Sequence, residues 1–360
     1  MEIKNYFAEK IKNMAGYTPG EQPKLPNLIK LNTNENPYPP SPVINNVLNK
    51  MDISKLRLYP DPNADHLCSV IADLFNLKSE NILAGNGSDD IFSIAVRSFL
   101  NEGELIFTFY PTYSLYPVLA EIQGANIFQK KLPENFQITD DFIKNLIESD
   151  EFKKAKLFII ARPNAPTGNS FPKKLIEIIC DTFNGIVLID EAYADFSEDN
   201  CIDFIKKYKN VLIVRTMSKS YSLAGLRVGW AMADKDIITG MYKVKDSYNV
   251  SLLAQIIASE ALKDRIYFNK GIRSIKETRE KVSESLCSLG FTVIKSSANF
   301  LFVSPPNASA VNLFQFLRND NIVVRYFYAP MTDKYLRITV GTEQEMDKLL
   351  ASVKKYLNLS

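Results

Sequence analysis

Six short segments of this chain are apolar over most of their length: Ile82–Ala84, Leu105–Phe109, Lys156–Ala161, Ile186–Asp190, Val211–Arg215 and Gly229–Ala233. Several lack the alternation that marks a strand with one face in water. They therefore predict strands covered on both faces. Between them lie segments with helical periodicity, such as Ser88–Leu100 and Lys173–Phe183. Strand and helix in alternation is the pattern of an α/β fold, a mainly parallel sheet flanked by helices. In such sheets ligands bind beyond the carboxyl ends of the strands, so the residues just after each run carry the most information.

From about Asp236 the texture changes. Helical patterns dominate, at Leu252–Leu262 and over the charged stretch Tyr267–Leu289. Shorter strands are expected at Phe291–Ile294, Asn299–Val303, Ile322–Arg325 and Leu336–Thr339, with a closing helix at Glu343–Leu357. The expected division is an N-terminal arm over 1–42, a large domain over 43–245 and a smaller α+β C-terminal domain over 246–360. The proline-rich part of the arm, Thr18–Pro42, carries turn signals and is expected to wrap the surface. A length of 360 residues is ample for these cores.

Composition narrows the function mainly by exclusion. The net charge of +2 gives no argument for a nucleic-acid or membrane-surface partner. Met1–Tyr17 is charged and has no apolar core of a signal peptide, and no run approaches membrane-spanning length. Cys68, Cys180, Cys201 and Cys287 are scattered and form no CxxC pair. They read as small hydrophobes in a reducing compartment, so a cytoplasmic location is expected. The single histidine, His66, rules out a multi-histidine zinc site, and no metal is expected. It reads as a solvated residue at the start of a helix.

Four strand ends carry candidate chemistry. Gly85-Asn86-Gly87-Ser88-Asp89-Asp90 follows one strand and opens a helix, where free N–H groups can hold an anion. The third glycine of a dinucleotide fingerprint is missing, and a plain strand–helix turn fits equally well. Arg162-Pro163-Asn164-Ala165-Pro166-Thr167-Gly168 is a rigid turn in which Asn164 can face a ligand or serve the turn. Asp190, in Ile189-Asp190-Glu191-Ala192-Tyr193, ends a buried strand as a capping acid or as a carboxylate aimed at a cation. Lys219, in Arg215-Thr216-Met217-Ser218-Lys219, follows another. A lysine there either extends its head to water or is desolvated into a nucleophile suited to Schiff-base chemistry. Thr216, Ser218 and Arg227 offer two hydroxyls and a guanidinium for a phosphate close by.

Taken in this order, the motifs resemble those of the fold-type I pyridoxal phosphate aminotransferases over nearly the whole chain. Within them the chain is similar to the histidinol-phosphate aminotransferases. The strings carrying that likeness are Leu31-Asn32-Thr33-Asn34-Glu35-Asn36-Pro37-Tyr38, Leu58-Tyr59-Pro60-Asp61, Asn86-Gly87-Ser88-Asp89 and Leu336-Arg337-Ile338-Thr339-Val340-Gly341. The resemblance implies that Lys219 bonds pyridoxal phosphate and moves the proton. Asp190 then pairs with the ring nitrogen, and Tyr193 contacts the ring oxygen. Backbone groups of Ser88 and Asp89, with Thr216, Ser218 and Arg227, would hold the phosphate, and Tyr113 would stack on the ring. Tyr59 would reach the phosphate from a partner subunit, which implies a homodimer. Arg337 would receive the substrate's anionic group, Arg325 its phosphate, and Tyr17 would close over it.

The implied reaction is a ping-pong transamination between histidinol phosphate with 2-oxoglutarate and imidazole-acetol phosphate with glutamate, in histidine biosynthesis. One position departs from the family, which commonly has asparagine directly before the proline of Asn-Pro-Thr-Gly. Here that residue is Ala165, and Asn164 lies one place earlier. Tyr193 alone, or Asn164 through a shifted turn, would then contact the ring oxygen. The alternatives are a threonine-phosphate decarboxylase, an aromatic or broad-range aminotransferase, and a cofactor-binding module without turnover.

Overall fold

The computed structural model describes residues 6–24, 26–306 and 309–359. Its largest element is a sheet of seven strands. In chain order these are β1 (Ile82–Gly85), β2 (Leu105–Tyr110), β3 (Asn126–Lys131), β4 (Leu157–Ala161), β5 (Ile186–Asp190), β6 (Val211–Thr216) and β7 (Gly229–Ala233). Across the sheet the order is β1-β7-β6-β5-β4-β2-β3. The five strands from β6 to β3 run parallel, while β7 lies antiparallel between β6 and β1. Successive side chains of a strand point to opposite faces, and here both faces are covered. Phe158 and Ile160 of β4 enter one core, and Leu157 and Ile159 enter the other. All four are fully buried. Each such side chain contributes roughly 1.5–3 kcal/mol relative to exposure, which is why the runs are apolar without a break.

The smaller sheet has the order β10-β11-β9-β8, with β8 (Thr292–Ile294), β9 (Phe300–Ser304), β10 (Arg325–Tyr326) and β11 (Leu336–Thr339) all antiparallel. Helices Arg265–Ser288, Ala310–Asn319 and Glu343–Tyr356 bury Val282, Leu313 and Leu349 against it. The expected single strand Ile322–Arg325 is divided. Ile322–Val323 pairs in parallel with Ile29–Lys30, and Arg325–Tyr326 joins the sheet as β10. The N-terminal segment is thereby stitched to the small domain, with Leu31 in its core. Arg279, on the long helix, donates to Phe196 O (3.1 Å) and Ala298 O (3.0 Å), tying that helix to segments of both parts. Among the described residues, no helix is long and apolar enough to cross a membrane.

Candidate functional site

The parallel strands end together, and their ends hold the candidate residues. Asp190 closes β5 and is only 6% exposed. Tyr116 Oη donates to its Oδ2 at 2.6 Å, and Ala192 N donates to its Oδ1 at 3.0 Å. It forms no ion pair among the described residues. Burial raises its carboxyl from 3.8 to about 6. A buried acid without a protein cation marks a place where a cationic group of a ligand is favoured.

Thr216 ends β6, and the chain turns so that Thr216 Oγ1 lies 3.0 Å from Ser218 Oγ. Lys219 follows, half-buried, with Nζ donating to Thr33 O at 3.0 Å. Burial, aided by the Arg337 charge, lowers its amine from 10.5 to about 8. The free amine, the state a nucleophile needs, is thus reached nearer neutral pH than in an ordinary lysine. The lysine loop is held from behind. Asn36 Nδ2 donates to Lys219 O (3.1 Å) and Ser220 O (3.2 Å), and Ser220 Oγ donates to Asp195 at 2.6 Å. Asp195 in turn pairs with Arg215, which also pairs with Glu191 beside Asp190. Removing one partner of such a buried set typically costs about 3–5 kcal/mol.

On the near side of the lysine, the first turn of helix Ser88–Phe99 faces Arg227. Gly87 has φ +85°, and a Cβ there would lie 2.6 Å from Arg227 Nη2. A Cβ on Gly229 would lie 2.5 Å from Ser88 N. The two glycines therefore clear space around a helix N-terminus, a guanidinium and two hydroxyls. Arg227 Nη1 lies 3.4 Å from Ser218 Oγ, and Nη2 lies 3.6 Å from Asp89 Oδ2. These groups make a seat for a phosphate.

Tyr113 joins the phosphate seat to the acid at the end of β5. Its Oη donates to Asp89 Oδ1 at 3.4 Å. Its ring meets those of Tyr116 and Tyr17 edge-on, at 5.6 and 5.8 Å between centroids. Tyr116, which holds Asp190, is a further candidate that the sequence motifs do not single out. Its one signal is its place three residues after Tyr113, at the start of helix Leu115–Gln123.

Beyond Lys219 lies a cationic end. Arg325 and Arg337 are direct cross-strand partners on β10 and β11. Like charges in that relation repel, so the pair favours an anion between or beside them. Arg337 Nη2 donates to Asn32 O at 2.8 Å, and its guanidinium lies 5.4 Å from the rings of Phe300 and Phe327. Its Nε is buried with no hydrogen-bond partner among the described residues, and burial lowers its pKa. Tyr193 lies between the two ends, with Asn34 Nδ2 donating to its Oη at 2.8 Å and Lys219 Nζ 5.9 Å from its ring.

Two sequence candidates stand apart. Asn164 is engaged within the protein: Nδ2 donates to Pro111 O (3.0 Å) and Thr167 Oγ1 (2.7 Å), and Oδ1 accepts from Thr112 Oγ1 (3.1 Å). Tyr59 is 80% exposed and stacks on Tyr248 at 4.5 Å. The remaining residues fit pyridoxal phosphate: a phosphate seat, an unpaired buried carboxylate for the ring nitrogen, a phenol for the ring oxygen and an amine for the aldehyde.

The family model for aminotransferase class I and II matches residues 26–353. The chain is 44% identical over 347 residues to the histidinol-phosphate aminotransferase of Microcystis aeruginosa, covering 96% of this chain and 97% of that one. The solved histidinol-phosphate aminotransferase of Clostridium acetobutylicum superimposes with a TM-score of 0.84 at 27% identity, covering 92% of this chain and 99% of that one. The fold is shared with the Sinorhizobium meliloti enzyme of the same name, solved in complex with pyridoxal-5'-phosphate, with a TM-score of 0.87, 20% identity and 98% coverage of each chain.

Proposed function

The chain belongs to the class I and II aminotransferases, and we propose that it moves an amino group between histidinol phosphate and 2-oxoglutarate, in histidine biosynthesis. The observation that carries the substrate assignment is the cross-strand pair Arg325 and Arg337 beyond Lys219 and its lowered pKa. A phosphorylated substrate and a dicarboxylic one must use the same cleft in turn, and guanidinium groups accept either anion.

When bound, pyridoxal phosphate supplies the electron sink that stabilises negative charge at the substrate carbon. The chain's own groups do the rest. Ser88 and Asp89 backbone groups, Thr216, Ser218 and Arg227 hold the phosphate. Asp190 keeps the proton on the ring nitrogen, and Tyr116 orients that carboxylate. Tyr113 packs on the ring, and Tyr193 donates to the ring oxygen. Lys219 Nζ would hold the cofactor at its aldehyde and would be the base that moves the proton at the substrate carbon. Its lowered pKa suits it to act as a base near neutral pH. Arg337 receives the glutamate carboxylate, and with Arg325 and Tyr17 it receives the substrate phosphate. Asn164 supports the cofactor side of the cleft through Pro111 O and Thr112. Tyr59 completes the phosphate seat of a second copy of the chain, in a cytoplasmic homodimer.

The test is a spectral half-reaction of the cofactor-loaded protein with histidinol phosphate, phenylalanine and threonine phosphate in parallel. Histidinol phosphate should bleach the lysine–cofactor band at the lowest concentration. Bleaching by phenylalanine but not by histidinol phosphate would assign an aromatic aminotransferase instead. Carbon dioxide release from threonine phosphate would assign a decarboxylase.

A further inference from the structure

Two consecutive residues of one segment hold Lys219 and Tyr193, the two groups that would face the reacting end of pyridoxal phosphate. Thr33 O accepts from Lys219 Nζ at 3.0 Å, and Asn34 Nδ2 donates to Tyr193 Oη at 2.8 Å. Asn34 is 1% exposed and its amide is anchored. Its Oδ1 accepts from Thr339 Oγ1 at 3.1 Å, its backbone N donates to the same hydroxyl at 3.0 Å, and its carbonyl accepts from Asn299 Nδ2 at 3.0 Å. Thr339 thus occupies the amide oxygen and leaves the amide nitrogen for the phenol.

A phenol has one proton. Because Asn34 donates to the Tyr193 oxygen, that proton is not used in this contact, and it meets no acceptor among the described residues. Among the described residues, neither position of the neighbouring turn supplies a second donor to that oxygen. Ala165 offers only a methyl, packed with Ala298, Phe300 and Tyr193, and Asn164 is engaged at Pro111 and Thr167.

We propose that Asn34 is a positioning residue acting through Tyr193: its amide turns the phenol proton toward the ring oxygen of pyridoxal phosphate, a contact that Ala165 cannot make. The inference rests on the reading above that this cleft takes that cofactor. With pyridoxal phosphate bound to Lys219, a proton donated to the ring oxygen would compete with the one shared with the lysine nitrogen. Loosening Tyr193 therefore keeps the lysine nitrogen protonated to higher pH.

The experiment is a pH titration of the lysine–cofactor absorbance in the loaded protein and in N34G, Y193F and N34G/Y193F. Glycine suits position 34, where φ is +56°. N34G should raise the titration midpoint by about one pH unit, the scale of one lost hydrogen bond. Y193F should raise it at least as far, and the double variant no further than Y193F. T339V, which frees the amide to turn without touching Tyr193, should give a smaller rise that also vanishes in the Y193F background. An unchanged midpoint in both N34G and T339V, or shifts that add fully to that of Y193F, would overturn the proposal. A parent protein that gives no such band with pyridoxal phosphate would overturn the reading of the site, and this inference with it.

Discussion

Replacing Asp190 with asparagine removes a charge and nearly keeps a shape. In the cofactor-free protein the carboxyl is 6% exposed and pushed from 3.8 to about 6 by burial. The folded protein therefore holds this proton more tightly than the unfolded chain does. Stability from the protonated form is fully present below pH 3.8 and is lost as pH rises through about 6. A shift of roughly two units at 1.36 kcal/mol each gives a loss of about 3 kcal/mol. Without cofactor, D190N should thus be more stable than the parent above pH 7, by up to about 3 kcal/mol. The gap should close as pH falls toward 4. Trp230, the only tryptophan, lies buried in β7 and reports unfolding of the large sheet in urea. Added pyridoxal phosphate should reverse the ranking, because a cationic ring nitrogen stabilises the parent's carboxylate and not the amide. Equal urea midpoints for the two cofactor-free proteins from pH 5 to pH 8 would refute the claim that Asp190 is buried without a counter-charge.

Lys219→Ala should abolish the borohydride-reducible bond between protein and pyridoxal phosphate, as read by intact mass. In the cofactor-free protein, carbamoylation of Lys219 by cyanate should rise about tenfold between pH 7 and pH 9, with a midpoint near 8, as peptide mapping will show. Arg337→Lys should keep the charge and lose the fork, raising KM for histidinol phosphate and for glutamate by roughly ten- to a hundredfold, with the cofactor band intact. Sedimentation should give about twice the 40.8 kDa chain mass, and Tyr59→Ala should weaken cofactor affinity without altering that mass.

The strands of the large sheet were legible because burial on both faces leaves no polar residue inside a run such as Leu157–Ala161. Strand β3 was not, because Asn126–Lys131 is an edge strand with mixed, half-exposed residues. The reversed direction of β7 left no mark either, since a buried strand is apolar whichever way it runs. Among the site candidates, the placement of Asp190 and Lys219 at strand ends could be read. Tyr116 and Asn34 could not, because their roles depend on contacts 74 and 159 positions away. The division of Ile322–Arg325 likewise depends on the distant pairing of Ile322–Val323 with Ile29–Lys30.

The stitching of the N-terminal segment to the small domain sets an order of events during synthesis. Thr33 and Asn34 leave the ribosome before any strand of the large sheet, whose last strand ends at Ala233. The anchors of Asn34 come much later: Thr339 lies 305 positions after it. Until Asn299 and Thr339 are made, the Asn34 amide that contacts Tyr193 has none of its anchors. Contacts of such long range form late in folding. Translation of β11, which brings both Arg337 and Thr339, is thus the step after which the amine can be desolvated and the Asn34 amide anchored.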